Sequence, residues 1–257
     1  MSKIVIYTTI TNDYDNLLEP LVKDDDFEFI YYSDKPRINN PISIWSFRKL
    51  IKECESPIRT ARYHKTNPHL LFPENDISIW MDSNLQIIDN SFFKDIKRFL
   101  NSNQLWGGIK HPFRNCIYDE ANCCIVNNRI NYHETKRQID FLKSSGFPHK
   151  NGLMETNILV RRHHDPLIIK LDELWWEMIN KFTHRDQLSQ QYVFWKEDFK
   201  PSLIFNDSTN TWNHPGIKRT EHQNYHPKNY IDRKKIAFRF HYRRIINKII
   251  LNLFGKL

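Results

Sequence analysis

Apolar residues run almost unbroken through positions 77–81 and stop at the polar triplet Asp82-Ser83-Asn84. Consecutive apolar β-formers predict a strand that is buried on both faces of a sheet. An ionised carboxylate at the end of such a strand needs a cation, a metal or several hydrogen-bond donors to offset its desolvation. We therefore predict that Asp82 faces a cleft at the carboxyl edge of the sheet.

Similar apolar runs alternate with amphipathic segments along the chain. The other predicted strands lie at residues 3–8, 27–32 and 106–110 and directly after Gly152. The predicted helices run from Ser56-Pro57 to Asn67-Pro68, from Ser91, through much of 115–144, from Pro166 and after 183–189. This alternation predicts an α/β fold, with a mostly parallel, Rossmann-like sheet flanked by helices.

The excess positive charge is concentrated at the C-terminus. Eight of the 38 Lys and Arg residues lie in residues 233–257, which contain no acidic residue, so 30 basic and 30 acidic residues remain in the first 232. We predict one neutral domain over residues 1–232, with a first half that ends near residue 110 and a second half from 111, followed by a basic tail. A neutral body argues against a nucleic-acid-binding surface.

The four cysteines, Cys54, Cys116, Cys123 and Cys124, show no paired spacing, which predicts reduced thiols. The apolar run at the N-terminus is too short for a signal peptide. Both observations favour a cytoplasmic protein.

Thr8 ends the first predicted strand, Asp13 lies in the loop after it, and Asp34 lies in the loop after the second predicted strand. In a doubly wound sheet such loops lie at the ligand edge, so these groups could meet the nucleoside of a nucleotide. For Asp34, an ordinary turn residue before Lys-Pro is an equally good interpretation.

Three cations, Arg59, Arg62 and Lys65, recur every three residues in the helix that begins at Ser56-Pro57. They share one face, which can neutralise a diphosphate. A merely solvated cationic face is the alternative.

The second half offers candidates for the reacting groups. Glu155 and Asn157 lie two positions apart on a predicted strand and therefore on the same side, after the flexible Gly152. Asp186 opens a helix, where it could be only a cap. The late histidines, which show no regular metal spacing, are His214, His222 and His226.

Several blocks of this sequence together resemble the DUF616 family, also called TOD1/MUCI70 glycosyltransferase-like, over most of the first 200 residues. The blocks are Tyr7-Thr8 with Tyr14-Asp15, Ala61-Arg62-Tyr63-His64-Lys65 with Pro68-His69, Trp80-Met81-Asp82-Ser83-Asn84, His111-Pro112 with Arg114, Glu155-Thr156-Asn157 and Arg185-Asp186-Gln187-Leu188-Ser189. The resemblance implies a GT-A-like fold and a nucleotide-sugar donor.

On its own, Asp82-Ser83-Asn84 is better interpreted as ordinary turn chemistry. The resemblance implies instead that the triplet is a variant of the Asp-x-Asp motif that holds a divalent metal on the donor diphosphate, with asparagine in place of the last aspartate. Mn²⁺ or Mg²⁺ would suit its oxygen ligands. His214, followed by Gly216 and Lys218, is similar to a late His-x-Gly-x-x-Lys pattern with shorter spacing. The expected metal ligands are therefore Asp82, Asn84 and His214, with His222 and His226 as competitors for the histidine position.

The remaining roles follow from the residues and the resemblance together. Asp186 is the residue expected to deprotonate or orient the acceptor hydroxyl, with Glu155 second. The expected donor-binding residues are Thr8, Asp13, Asp34, Arg59, Arg62, Lys65, Asp82, Ser83, Asn84 and Lys218. The expected acceptor-side residues are His111, Arg114, Gly152, Asn157 and Gln187.

The resulting hypothesis is a glycosyltransferase that moves a sugar from a nucleotide-diphosphate sugar to a hydroxyl of a growing cell-surface glycan. A metal-dependent hydrolase could use the same carboxylates and histidines. A non-catalytic glycan-binding or membrane-binding module would keep the aromatic residues without binding a nucleotide.

The tail predicts a basic amphipathic helix, because apolar residues recur on one face from Ile246 to Leu257 among cations such as Arg243 and Lys248. Such a helix is typical of proteins that lie on anionic lipid. We therefore expect a peripheral location on the cytoplasmic face of the membrane. A terminal helix docked on the body or on a second subunit is the alternative.

Overall fold

A seven-stranded sheet forms the centre of the computed structural model, which describes residues 4–37, 42–222, 230–255 and 257. Its strands are β1 (Ile4–Ile10), β2 (Phe27–Ser33), β3 (Trp45–Lys49), β4 (Ser78–Met81), β6 (Trp106–Lys110), β7 (Met154–Arg161) and β8 (Ser202–Leu203), while β5 (Leu85–Ile87) pairs with β9 (Ile217–Arg219) in a small second sheet. The helices are α1 (Pro57–Thr66), α2 (Pro68–Leu71), α3 (Ser91–Asn101), α4 (Ile117–Val126), α5 (Tyr132–Ser144), α6 (Pro166–Lys181), α7 (Gln187–Lys196) and α8 (Tyr230–Phe254).

The strand order in the large sheet is β3-β2-β1-β4-β7-β6-β8. All pairs in it are parallel except those that β7 makes with β4 and β6. The predicted fold class, a mostly parallel α/β sheet flanked by helices, is confirmed. Because β7 runs against its neighbours, its first residues lie at the same edge as the last residues of β4 and β6.

Both faces of the sheet are covered. Val5, Tyr7 and Trp80 belong to the core on the side of α1 and the helices of the second half, whereas Ile79 and Met81 belong to the core beneath α3. All four residues of β4 are buried, as expected of an apolar run without alternation.

The long helix predicted within 115–144 is wrong in one respect, since the structure has two helices there. Val126 ends α4, Asn128 adopts a left-handed conformation (φ 53°), and the side chain of Asn131 caps α5 by accepting from the backbone N–H groups of His133 and Glu134. The break turns the chain, and it places Asn128 at the rim of the cleft described below.

The tail forms α8, and its last turns pack on α4. The Asn247 amide donates to the carbonyl of Ile125 (2.7 Å), Leu251 is buried, and the backbone N–H of Leu257 donates to the side chain of Asn122 (3.1 Å). Among the residues that the structure describes, no helix combines the length and the apolar character needed to cross a bilayer.

Candidate active site

Four strands of the main sheet bring side chains to one cleft. Residues that follow β1, β4 and β6 meet residues at the start of β7 around a cavity of about 690 Å³. The residues that line it are Thr9, Ile10, Thr11, Asn12, Tyr14, Asp15, Ser56, Pro57, Ile58, Ala61, Arg62, Trp80, Asp82, Ser83, His111, Pro112, Phe113, Arg114, Asn128, Arg129, Glu155, Thr156, Asn157, His184, Arg185, Asp186, Gln187, Trp212, Arg219 and His222.

The structure places Asp82 in this cleft, directly after β4. Its Oδ1 accepts a hydrogen bond from Nε1 of Trp80 (2.7 Å) and lies 3.7 Å from Nζ of Lys65. Its backbone N–H donates to the carbonyl of Asn157 (2.8 Å), which joins the end of β4 to β7. The carboxylate is 28% exposed, so it stays accessible to a ligand.

Ser83, Asp15, His222 and Tyr14 form the adjoining wall, and of these Asp15 and Tyr14 were not among the predicted site residues. The Ser83 hydroxyl donates to Oδ2 of Asp15 (2.6 Å), and Nδ1 of His222 lies 2.8 Å from the same oxygen. The ring of Tyr14 lies 4.9 Å from that of His222. Of the three late histidines, His222 reaches the cleft, while His226 lies outside the described residues.

A buried charge cluster lies beneath Asp82. Nζ of Lys65 is 2.6 Å from Oδ2 of Asp186, and Nε of Arg62 is 3.5 Å from the same oxygen. Lys65 is fully buried and does not line the cavity. The structure therefore does not place Lys65 as a phosphate contact, because its ammonium bridges two carboxylates. Arg62 does line the cleft.

Asp186 is both an ion-pair partner and a helix cap. Its Oδ1 accepts from the backbone N–H of Gln187 (3.1 Å) at the start of α7. Burial would raise the pKa of Asp186, but the charges of Arg62, Lys65 and Arg185 outweigh burial and hold that pKa well below its ordinary value. A carboxylate held in this way is a weak proton acceptor, which argues against the predicted role of Asp186 as a base.

Glu155, the second residue of β7, lines the cleft and has different surroundings. Its Oε2 accepts from the hydroxyl (3.0 Å) and the backbone N–H (3.3 Å) of Thr211, and Oε1 lies 3.9 Å from Nη1 of Arg219. Burial raises the pKa of Glu155, and the Thr211 hydrogen bonds and the Arg219 charge offset this only in part. A cleft-facing carboxylate with a raised pKa suits a proton acceptor.

The opposite wall is built on the buried carboxylate of Glu120. Nε of Arg114 lies 2.5 Å from it, Nη2 of Arg185 3.4 Å and Nε2 of His111 3.8 Å. Nδ1 of His111 accepts the backbone N–H groups of Phe113 and Arg114, and burial lowers the pKa of this histidine to about 4, so the ring is neutral. Arg114 and Arg185 are thus held in place at the cleft.

Two further acceptor-side candidates also line the cleft. The Asn157 amide donates to the Thr211 hydroxyl (3.0 Å), and its Oδ1 is buried without a hydrogen-bond partner in the described part of the chain. The Gln187 amide donates to the carbonyl of Met154 (3.2 Å) and its oxygen accepts from Arg185. Gly152 does not line the cavity; it adopts a positive φ of 84° in the turn before β7.

Arg59 does not line the cavity, so the structure does not place it as a contact of a nucleotide-sugar. Its guanidinium donates to the carbonyls of Ile179 and Phe182 at the C-terminal end of α6, and it lies 3.1 Å from Glu55. These carbonyls have no partner within the helix, so a cation there stabilises the helix end. The three cations of α1 therefore do not act together: Arg59 contacts the end of α6, whereas Arg62 and Lys65 lie at or beneath the cleft.

Three candidates near β1 and β2 also lie off the cleft. Thr8 is buried within β1, and its hydroxyl has no partner among the described residues. Asp13 pairs with Lys35 (2.8 Å) and Arg37 (2.6 Å), and Asp34 pairs with Arg37 and accepts the backbone N–H of Asn12. Asp13 and Asp34 brace the loop after β1, where Asn12 and Asp13 both have positive φ, rather than meeting a ligand directly.

The predicted metal ligands do not come together. The Asn84 amide donates to the carbonyl of Thr220 (3.0 Å), and His214 lies with Nε2 3.0 Å from Asp95 and Nδ1 accepting the N–H of Gly216. Neither side chain lines the cavity, and among the described residues no three His, Cys, Asp or Glu side chains are close enough to hold a metal. The predicted set of ligands does not fit a metal site here.

The position of His214 has a local cause. A Cβ at Gly216 would lie 2.7 Å from the backbone nitrogen of Phe92, so the glycine lets this loop pack tightly on the start of α3. That packing turns His214 towards Asp95 and away from the cleft. One position along β9 from the predicted Lys218, Arg219 is the residue that reaches the cleft.

The sequence reasoning missed Arg185, Trp212 and Arg219. Arg185 directly precedes Asp186, and that position was a usable signal. Trp212 and Arg219 had no local signal. Arg219 reaches the cleft through the pairing of β5 with β9, whose paired residues are 130 to 134 positions apart, and Trp212 lies in the segment before β9.

The fold and this cleft define an α/β protein with a ligand site at the sheet edge, and the comparisons with known proteins identify its family. A family model described as "TOD1/MUCI70, glycosyltransferase-like domain" matches residues 21–211. The chain belongs to this family, as its sequence blocks indicated.

Individual similarities are more distant. The chain is 25% identical over 140 residues to "Probable hexosyltransferase MUCI70" of Arabidopsis thaliana, a match that covers 51% of this chain and 24% of that protein. Among solved structures, the apo crystal structure of mouse xyloside xylosyltransferase 1 is similar with a TM-score of 0.42 and 11% identity, over 75% of this chain and 79% of that one.

Proposed function

We propose that this protein transfers a sugar from a nucleotide-diphosphate sugar to a hydroxyl of a glycan. The observation that supports this most directly is the cleft itself: in a member of a glycosyltransferase-like family, it combines the cations Arg62 and Arg185 with a cleft-facing carboxylate, Glu155.

The donor occupies the side of the cleft nearest β1. Thr9, Thr11 and Tyr14 line the wall assigned to the nucleoside, and Arg62 and Arg185 neutralise the diphosphate. Both guanidiniums are largely withdrawn from water, with exposures of 19% and 23%. Fixed charges in such a site stabilise the charge that develops on the leaving diphosphate more strongly than exposed ones would.

Glu155 is the group assigned to the acceptor. In the net reaction the acceptor oxygen bonds to the anomeric carbon, the bond from that carbon to the diphosphate oxygen breaks, and the acceptor proton passes to Glu155. Asp186 holds Lys65 and Arg62 in place beneath the donor. The products are the extended glycan and the nucleoside diphosphate.

A divalent ion, Mn²⁺ or Mg²⁺, is a separate part of the proposal that rests on Asp82 alone. Bound to the donor, such an ion supplies further neutralisation of the phosphates. The step derived above does not depend on it, because Arg62 and Arg185 carry the opposing charge.

The acceptor class and the location are proposals supported by α8. Its exposed surface carries apolar side chains beside Arg239, Arg243 and Arg244, with no acidic side chain after Asp232. Such a surface favours a location on the cytoplasmic face of an anionic membrane, where the enzyme would extend a cell-surface glycan.

The test is a panel of UDP-, GDP-, CDP- and dTDP-sugars, measured by thermal stabilisation of the full chain with Mn²⁺ and with EDTA. We expect one nucleotide class to stabilise the wild type, and Arg62→Ala to lose most of that effect while Lys94→Ala, an exposed cation outside the cleft, keeps it. Loss of binding in EDTA and in Asp82→Ala would support the metal; unchanged binding in both would exclude it.

The same nucleotide-sugars, assayed for turnover as well as for thermal stabilisation, separate the rival functions. Turnover of a nucleotide sugar with water and no transfer to any glycan would indicate a hydrolase. Absence of stabilisation by every nucleotide would contradict the transferase and favour a binding module.

A further inference from the structure

Trp212 is an aromatic side chain at the cleft to which the proposed transfer gives no role. It lines the cavity and is 62% exposed, although a large apolar ring is ordinarily withdrawn from water. It lies in the segment between β8 and β9.

The turn that carries Trp212 is fixed to the proposed proton acceptor. The neighbouring residue, Thr211, is buried and donates both its hydroxyl and its backbone N–H to Glu155, while its hydroxyl accepts from the Asn157 amide. The backbone N–H of Trp212 donates to Oδ1 of Asn210 (2.9 Å). The backbone that carries the indole is therefore anchored to Glu155 through Thr211.

Arg219 supports the indole from one side. The centre of its guanidinium lies 4.4 Å from the ring centroid, in the range of a cation–π contact, and Nη1 is 3.4 Å from the Thr211 hydroxyl. A guanidinium on one face fixes the ring plane and leaves the opposite face for a ligand.

We propose that Trp212, backed by Arg219, is the platform on which the sugar ring of the acceptor stacks, a proposal that rests on the glycosyl transfer argued above. A pyranose has one face rich in C–H groups, which packs on an aromatic face, while its hydroxyls stay free for hydrogen bonds. A ring stacked there has its hydroxyls beside Glu155 and the Asn157 amide. The nucleoside is assigned elsewhere, at the loop after β1.

The experiment measures binding of simple sugars and of nucleotide separately, on the full-length chain. Saturation-transfer NMR with methyl pyranosides of gluco, galacto, manno and xylo configuration reports the acceptor side, and UDP and GDP titrations report the donor side. The variants are Trp212→Ala, Trp212→Phe and, as the matched control, Phe238→Ala, an exposed aromatic on α8 outside the cleft.

We expect the wild type to bind at least one pyranoside through its C–H face. Trp212→Ala should weaken that binding by about tenfold or more, as for an aromatic anchor in an interface, and Trp212→Phe by only about threefold. Nucleotide binding should stay within about twofold of wild type in all three variants, since the platform is on the acceptor side.

Three results would overturn the platform. They are equal pyranoside binding in Trp212→Ala, loss of nucleotide in place of pyranoside binding in that variant, and a wild type that binds nucleotide but no pyranoside. None of these removes the transferase proposal, which fails instead if the wild type binds no nucleotide. Because Trp212 is exposed, an unchanged midpoint of thermal unfolding will show that the variants are folded.

Discussion

The ammonium of Lys65 lies 2.6 Å from a carboxylate oxygen of Asp186, and solvent reaches neither side chain. Lys65 comes from α1 and Asp186 from the cap of α7, so the contact joins the two halves of the chain beneath the cleft. Removing one partner of a buried pair leaves an uncompensated charge, whereas removing both does not.

This predicts a strong coupling in a double-variant cycle. Lys65→Met should lower the free energy of unfolding by about 3–5 kcal/mol, and Asp186→Asn should also destabilise the fold, because each leaves its partner's charge unpaired. The double variant should lose less than the sum of the two. Urea unfolding of all four proteins measures this, and additive losses would show that the two charges are independent.

A second prediction concerns the pH dependence of transfer. A base must be deprotonated, so activity is lost as pH falls through its pKa; since burial raises the pKa of Glu155, the acidic limb should lie above that of an ordinary glutamate. Thr211→Val removes the hydroxyl hydrogen bond, which lowers this pKa, and should move the limb to higher pH. Glu155→Gln should reduce turnover by about 10²–10⁴.

Asp186→Asn is the control for that profile. It should reduce activity through the displaced cations but leave the position of the acidic limb unchanged, because the pKa of Asp186 lies far below the working range. A limb that disappears in Asp186→Asn and persists in Glu155→Gln would return the role of base to Asp186.

A third prediction separates two cations of the same helix. Arg59→Ala removes charged hydrogen bonds to the end of α6 and should lower stability by about 1.5–3 kcal/mol, with nucleotide binding intact. Arg62→Ala should weaken nucleotide binding, with a smaller loss of stability. Denaturation and nucleotide titration of both variants test the assignment, and the reverse pattern would place the phosphates at Arg59.

A fourth prediction concerns α8. Because Leu251 and Asn247 pack on α4, deleting residues 233–257 should expose apolar surface and destabilise the body, so charge reversal is the sharper test. Arg239→Glu, Arg243→Glu and Arg244→Glu together should abolish flotation with phosphatidylglycerol vesicles, since each basic side chain near the surface contributes about 1 kcal/mol.

The matched control reverses three exposed lysines of the body, Lys94, Lys196 and Lys200. Flotation should persist in that variant. If both triple variants bind vesicles equally, or the wild type binds none, the exposed face of α8 has another partner.

Features that depend on short stretches of sequence could be predicted. The apolar run of β4 fixed both its burial and the position of Asp82, and the alternation of strands and helices fixed the fold class. Glu155 and Asn157 were found because their spacing is a property of any strand.

The errors concern contacts between distant segments. Helical periodicity placed Arg59, Arg62 and Lys65 on one face, but the neighbours on that face, the end of α6 and the cap of α7, are set by tertiary packing. The side chain of Asn84 is held by the carbonyl of Thr220. His222 lines the cleft and His214 does not, and this difference depends on how closely Gly216 approaches α3. None of these is encoded in a local pattern.

Because β7 runs against its neighbours, the residues on the two sides of the cleft differ in how easily their positions can change. Side chains after β1, β4 and β6 lie in connecting loops, whose length can vary without disturbing the sheet. Glu155 instead lies inside a strand, in register with Ile109, and the carbonyl of Asn157 accepts the N–H of Asp82. Loops exchanged between relatives, or grafted in the laboratory, can therefore alter which sugars are recognised while the carboxylate stays where it is.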